Sequence, residues 1–113
     1  MDKFELFNEY WNPKIIGELN NQTVKLVKVK GELIWHSHAN EDELFFVLKR
    51  ELKICFRETE LVLSEGEMVI VEKGVEHKPV AQHETWLLLF EPQDIKHIGE
   101  NYCDKTLSKF EKI

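Results

Sequence analysis

The chain has 113 residues, of which 42% are hydrophobic, 32% charged and 11% aromatic. That length suffices for one domain with its own core and leaves little room for a second, and the balance excludes an intrinsically disordered chain. A formal net charge of −6, with no basic patch to offset it, argues against nucleic acid or an anionic membrane as a partner.

No window approaches eighteen consecutive apolar residues, and the opening Met-Asp-Lys-Phe-Glu-Leu carries no signal-peptide run. A cytoplasmic protein is expected. The cysteines, Cys55 and Cys103, share no short motif and read as free thiols rather than a disulfide framework.

In chain order, Phe4, Phe7 and Trp11 lie three and four residues apart, as on one face of a short helical turn. Residues 1–13 are read as an apolar flap over one end of the domain, and Pro13 closes it because proline disfavours helix at the residue before it. Residues 14–19 and 23–30 are rich in isoleucine and valine and are separated by Asn20-Asn21-Gln22, the composition of a hairpin turn.

The stretch from Gly31 to Glu43 follows, reading Gly-Glu-Leu-Ile-Trp-His-Ser-His-Ala-Asn-Glu-Asp-Glu. On a strand, His36 and His38 project from the same side, about 6 to 7 Å apart at Cα, so both rings can converge on one ion. Glu43 opens the next strand, residues 43–48, whose two faces are both apolar apart from Glu43 itself: Phe45 and Val47 on one side, Leu44, Phe46 and Leu48 on the other. Such a strand must be covered on both sides, and a homodimer is the expected cover.

Residues 52–57 alternate as a half-exposed strand, 60–63 and 68–71 are short strands, and Gly74 sits in a turn that aims His77 into a strand over 77–82. Residues 85–90 form the last strong strand. Beyond Pro92 the chain is polar, and Leu107, Phe110 and Ile113 form either a helical stripe or an arm on a partner. About nine short strands with no long helical period predict an all-β sandwich or barrel in one domain, with its core at about 24–92, an N-terminal flap and a tail over 93–113.

His36, His38, Glu43 and His77 together form a nitrogen and oxygen ligand set suited to a first-row transition metal. A lone histidine is ordinarily a surface or satisfied core residue, so the argument rests on the four together. Gly31, then His36-x-His38, then Glu43 resembles the first motif of the cupin superfamily with one residue fewer after the glycine. Gly66, Gly74 and His77 resemble the second. Runs such as Glu-Asp-Glu-Leu-Phe-Phe-Val-Leu and Gly-Val-Glu-His-Lys-Pro-Val-Ala are similar to small single-domain cupins labelled mannose-6-phosphate isomerase-like. The resemblance implies a double-stranded β-helix, a jelly-roll barrel with the metal inside one mouth.

Three positions depart from the superfamily pattern: Arg50 in place of a glycine, Glu72 in place of a proline, and Ala81 in place of an asparagine. Arg50 is then expected to hold a positive φ in the turn Lys49-Arg50-Glu51. None of the three is a ligand position.

Four protein ligands would leave an octahedral divalent ion two positions for water or substrate. Iron, manganese, nickel, zinc and copper all suit the set. The expected function is that of a small metal-dependent enzyme, an isomerase or dioxygenase acting on an oxygen-rich small molecule. The alternative is a non-catalytic module that binds a sugar, small ligand or metal. Glu72 is the one candidate general base, against the plainer reading of a solvated carboxylate. Trp35 and Trp86 are candidates for the cavity wall, against core packing, and His83 and His97 are read as surface residues.

Overall fold

The computed structural model describes residues 2–92 and 111–113. A short 3-10 helix, Asp2–Leu6, precedes strands β1 (Lys14–Leu19), β2 (Gln22–Glu32), β3 (Glu43–Lys49), β4 (Leu52–Cys55), β5 (Glu60–Leu63), β6 (Met68–Val71), β7 (Lys78–Pro92) and β8 (Glu111–Lys112). These join in one sheet of order β5-β4-β7-β2-β1-β8, in which β3 pairs with both β6 and β7. The described residues are mostly β with little helix, as the sequence predicts, and among them no helix is long and apolar enough to cross a membrane.

The turns follow from residue type. Asn20 and Asn21 take φ values of 48° and 67° between β1 and β2, the left-handed pair of a tight hairpin that asparagine tolerates. Arg50 takes φ 72° between β3 and β4, as expected from its place in a glycine position. Its backbone N–H donates to the Glu65 carboxylate at 3.0 Å. Gly74 is likewise at φ 81°.

Two strand expectations are corrected. Residues 33–42 form no regular strand, because they meet the rest of the chain only at separate points: Leu33 N–H to Pro79 O, an isolated bridge between His36 and His77, and Gly74 N–H to His38 O. The two strands expected over 77–82 and 85–90 are one continuous strand, β7. It stays unbroken through His83 and Glu84 because β2 runs alongside, pairing Val29 with Thr85 and Gly31 with Ala81. Across β7, pairing passes from β3, at Trp86, to β4, at Val80.

This exchange of partners brings six strands onto one interior. Val27 and Val29 of β2, Phe45 and Val47 of β3, Leu52 and Ile54 of β4, and Leu87 and Leu89 of β7 pack there with Trp11. On the outside, Phe4 and Phe7 cover Leu26, and Phe4 stacks on Trp86 with ring centroids 4.4 Å apart. Phe4 and Phe7 therefore lie on a sheet face, and Trp11 parts from them into the interior. Trp11 sits at φ 58°, with its indole N–H donating to Lys30 O at 2.9 Å.

Ile113 packs on the Phe4 and Phe7 cluster beside β8, which runs parallel to β1. Leu107, Phe110, His97 and Cys103 lie outside the described residues. Cys55 ends β4 as a half-buried free thiol.

Candidate metal centre

The sheet register and one loop bring the four candidate ligands together. Glu43 begins β3, where it pairs with Val71 of β6. His36 and His77 face each other across their bridge, His36 N–H to His77 O at 3.0 Å and His77 N–H to His36 O at 2.9 Å. The intervening loop is pinned by Gly74 N–H to His38 O at 2.8 Å and by Lys73 N–H to the Asp42 carboxylate at 2.9 Å. One ligand atom from each of His36, His38, Glu43 and His77 lies within 4.8 Å of the others, and all four side chains are buried.

The donor atoms are disposed for an ion. His36 Nδ1 meets Ile34 O and His77 Nδ1 meets Val75 O, both at 3.0 Å. Each backbone carbonyl can only accept a hydrogen bond, so Nδ1–H donates and Nε2 keeps its lone pair, the arrangement by which metal-binding imidazoles are usually oriented. Glu43 Oε1 lies 3.5 Å from His38 Nε2 and 3.8 Å from His77 Nε2, too far for good hydrogen bonds. His38 Nδ1 and Nε2, Glu43 Oε1 and His77 Nε2 are buried without a hydrogen-bond partner. Orphaned polar atoms of this kind are costly in an interior unless something else satisfies them. The group fits a divalent metal site.

Electrostatics agree. Burial, reinforced by the nearby His77 ring, pushes His36 from 6.5 down to about 4, so its imidazole is neutral near pH 7 and able to bind an ion. Burial alone would raise Glu43, but the Glu91 carboxyl and the His38 and His77 rings outweigh it and hold Glu43 well below the usual carboxylate range. Glu91 is pushed well above that range by its burial and by the charge of Glu43.

Three residues at the site were not read as site residues from the sequence. Lys25 and Glu91 form a buried ion pair, Nζ to Oε1 at 2.5 Å, and Glu91 contacts Glu43. Their signal is parity: Lys25 shares a strand face with Val27 and Val29, and Glu91 shares one with Leu87 and Leu89, so each places a charge on an inward face. Trp11 is the third. It lines the small cavity beside His36 and Glu43 with Val27, Val29, Leu33, Phe45 and Leu89.

The two tryptophans weighed against core packing as cavity-wall candidates are elsewhere. Trp35 lies under Arg57 and Lys78, and Trp86 is on the outer face against Phe4. Glu72 is exposed, outside the four-residue cluster, and its backbone carbonyl accepts from Val75 N–H. His83 is exposed, as read.

A largely antiparallel sheet around an apolar interior, with three imidazoles and a carboxylate gathered inside, defines a small, mostly β protein whose buried His3Glu group fits a divalent metal site. Residues 24–101 match the Cupin domain family, and the chain belongs to that family. A cupin-2 domain protein of Shewanella frigidimarina, known from its crystal structure, is 49% identical, covering 81% of this chain and 90% of its own, with a TM-score of 0.81. Protein NMB1881 of Neisseria meningitidis is 30% identical over 80% of this chain and 93% of its own, with a TM-score of 0.74. An uncharacterized protein of Bacillus subtilis, YdbB, is 41% identical over 64 residues, which span 56% of this chain and 57% of that relative.

Proposed function

We propose that this cupin binds a divalent transition metal through His36, His38, Glu43 and His77 and uses it as a small metal-dependent enzyme of the dioxygenase or isomerase type. The observation that carries the reading is the convergence of four buried ligand atoms within 4.8 Å, with Nδ1 of His36 and His77 already committed to backbone carbonyls. The barrel is read as the double-stranded β-helix of the superfamily. A bound ion of this class would polarise a substrate oxygen or, if it is iron, bind dioxygen beside a chelated substrate.

The residues around the ligands narrow the chemistry. Apart from His36 and Glu43, the cavity wall is Trp11, Val27, Val29, Leu33, Phe45, Pro79, Leu87 and Leu89. An apolar wall excludes water and offers nothing to bind a phosphate or a ring of sugar hydroxyls. It offers no partner beside these ligands for a charged or hydroxyl-rich substrate, and so favours the dioxygenase type over a phosphosugar isomerase of the mannose-6-phosphate class. The test is elemental analysis of untagged protein purified without chelators, beside the His36→Ala, His38→Ala double variant. Stoichiometric iron in the first only, with oxygen uptake on small enols or phenols, supports the reading. Absence of metal from both proteins overturns it.

The second reading is a non-catalytic module that binds a small ligand or metal. It is favoured by the position of Glu72, the one acid or base candidate from the sequence, exposed and outside the ligand cluster. Turnover of any substrate that is abolished by His36→Ala would eliminate it.

We further propose a cytoplasmic homodimer. The outer face of β3 carries Leu44 and Phe46 beside their register partners Ile70 and Met68 on β6, and the last two are 52% and 55% exposed. A contiguous apolar patch on a sheet face is the kind of surface that a second subunit covers. The free thiol of Cys55 agrees with a reducing compartment.

A further inference from the structure

Behind Glu43 the interior holds two more ionisable side chains that the ligand set does not use. In the β3–β7 pairing Leu44 lies opposite Phe90, which puts Glu91 opposite Glu43 on the inward face. In the β2–β7 pairing Thr23 lies opposite Glu91 and Lys25 opposite Leu89, so Lys25 reaches Glu91 along the diagonal. The three side chains form a line: Lys25 Nζ on Glu91 Oε1, the Glu91 carboxyl against that of Glu43, and Glu43 Oε1 facing the His38 and His77 rings. Thr23 anchors the end of the line, its hydroxyl donating to Glu91 O at 3.2 Å.

Stability alone is a poor account of this arrangement. Lys25 and Glu91 are 1% and 2% exposed, and a buried ion pair is often replaced by apolar residues without loss of stability. What an apolar pair could not do is hold a neighbouring carboxylate in one orientation. Glu43 is the one carboxylate in the ligand cluster, and a carboxylate left alone among imidazoles can rotate.

We propose that Glu91, held in place by Lys25, is the positioning residue for Glu43 and turns its carboxylate so that Oε1 faces the imidazoles. The proposal deepens the metal-site reading and rests on it. Outer partners of this kind, when removed, typically lower metal affinity by about 10 to 100-fold.

The test uses Co2+ as a spectroscopic probe, titrated into chelator-treated full-length protein and followed by its visible absorption. Three proteins are compared: wild type, the Lys25→Met, Glu91→Leu double variant, and Glu91→Gln. The double variant replaces the ion pair with apolar volume, so its melting temperature should stay near or above that of wild type. Its Co2+ affinity should fall by about 10 to 100-fold, with an altered absorption band. In Glu91→Gln the amide oxygen can accept from Lys25 and the amide N–H can donate to Glu43, so most of the affinity and the wild-type band should return. Unchanged affinity and band in the double variant would overturn the proposal, as would equal losses in both variants. Crystal structures of wild type and double variant provide a readout independent of metal: Glu43 in the same orientation in both also overturns it. If wild type takes up no Co2+ at all, the metal-site reading fails, and the orientation of Glu43 still decides the positioning role.

Discussion

His36 and His77 are mirror partners. Each donates its backbone N–H to the other's carbonyl, each ring meets the carbonyl two residues before it through Nδ1, and the ring centroids lie 4.3 Å apart. The backbone thus fixes both rings before any ion arrives. Exchanging either side chain for alanine keeps the bridge, which is made by main-chain atoms.

His36→Ala and His77→Ala should therefore each fold while losing most of their bound metal. Circular dichroism would report the retained sheet, and elemental analysis the lost ion. His38→Ala should also lose metal, although His38 has no carbonyl to orient its ring. Full metal occupancy in all three variants would refute the ligand assignment.

Metal removal should destabilise the wild type and leave those variants nearly unmoved. An ion that binds only the folded chain adds about 4 kcal/mol when present at a thousand times its dissociation constant. Thermal melts of wild type with and without a chelator measure this directly. A chelator-induced shift of equal size in His36→Ala would trace the effect to something other than this site.

Much of this was legible in the residues because strand parity and ligand spacing are local. Residues 43–48 alternate between a face ending in Glu43 and a face of leucine and phenylalanine, and the fold buries the first face as read. The fate of residues 33–42 was not legible. His36 and His38 are buried without a ladder, held by single contacts to residues some forty positions away, and no local pattern encodes those. Trp11 was grouped with Phe4 and Phe7 by helical spacing, but its backbone leaves the helical region at φ 58° and sends the indole into the interior. Lys25 and Glu91 carried a parity signal that a charge on an inward face makes easy to overlook, since the usual expectation for such residues is the surface.

Arg50 offers a test of backbone strain. At φ 72° a residue with a Cβ is less stable than glycine by about 1 kcal/mol, and the contact to Glu65 uses only the backbone N–H of Arg50. Arg50→Gly should keep that contact and raise the melting temperature by about 4 °C for a chain of this size. A lower melting temperature would mean that the Arg50 side chain holds the turn in some way its backbone does not.

The proposed dimer rests on the outer face of β3 and β6. Met68→Lys with Ile70→Lys places two charges on the exposed half of that patch and leaves the interior untouched. Light scattering after size exclusion should find the wild type as a dimer and the double variant as a monomer of unchanged secondary structure. A wild type that remains monomeric at every concentration tried would remove the proposal.

The pH dependence of the metal-free protein follows from His36. Its folded pKa of about 4 lies below the unfolded value of 6.5, so above pH 6.5 the ring is neutral in both states and contributes nothing to the slope. Between 6.5 and 4 the unfolded chain takes up a proton that the folded chain refuses, and stability falls with pH. The loss amounts to on the order of 3 kcal/mol by pH 4. His36→Gln has no such proton to gain, while the other buried groups near the site are common to both proteins. Urea unfolding of chelator-treated samples at several pH values should therefore show wild type losing stability relative to His36→Gln as the pH drops from 6.5 to 4. Parallel profiles would mean that His36 accepts its proton as readily in the fold as in water, and so is not buried among apolar neighbours in the neutral form that binding an ion needs.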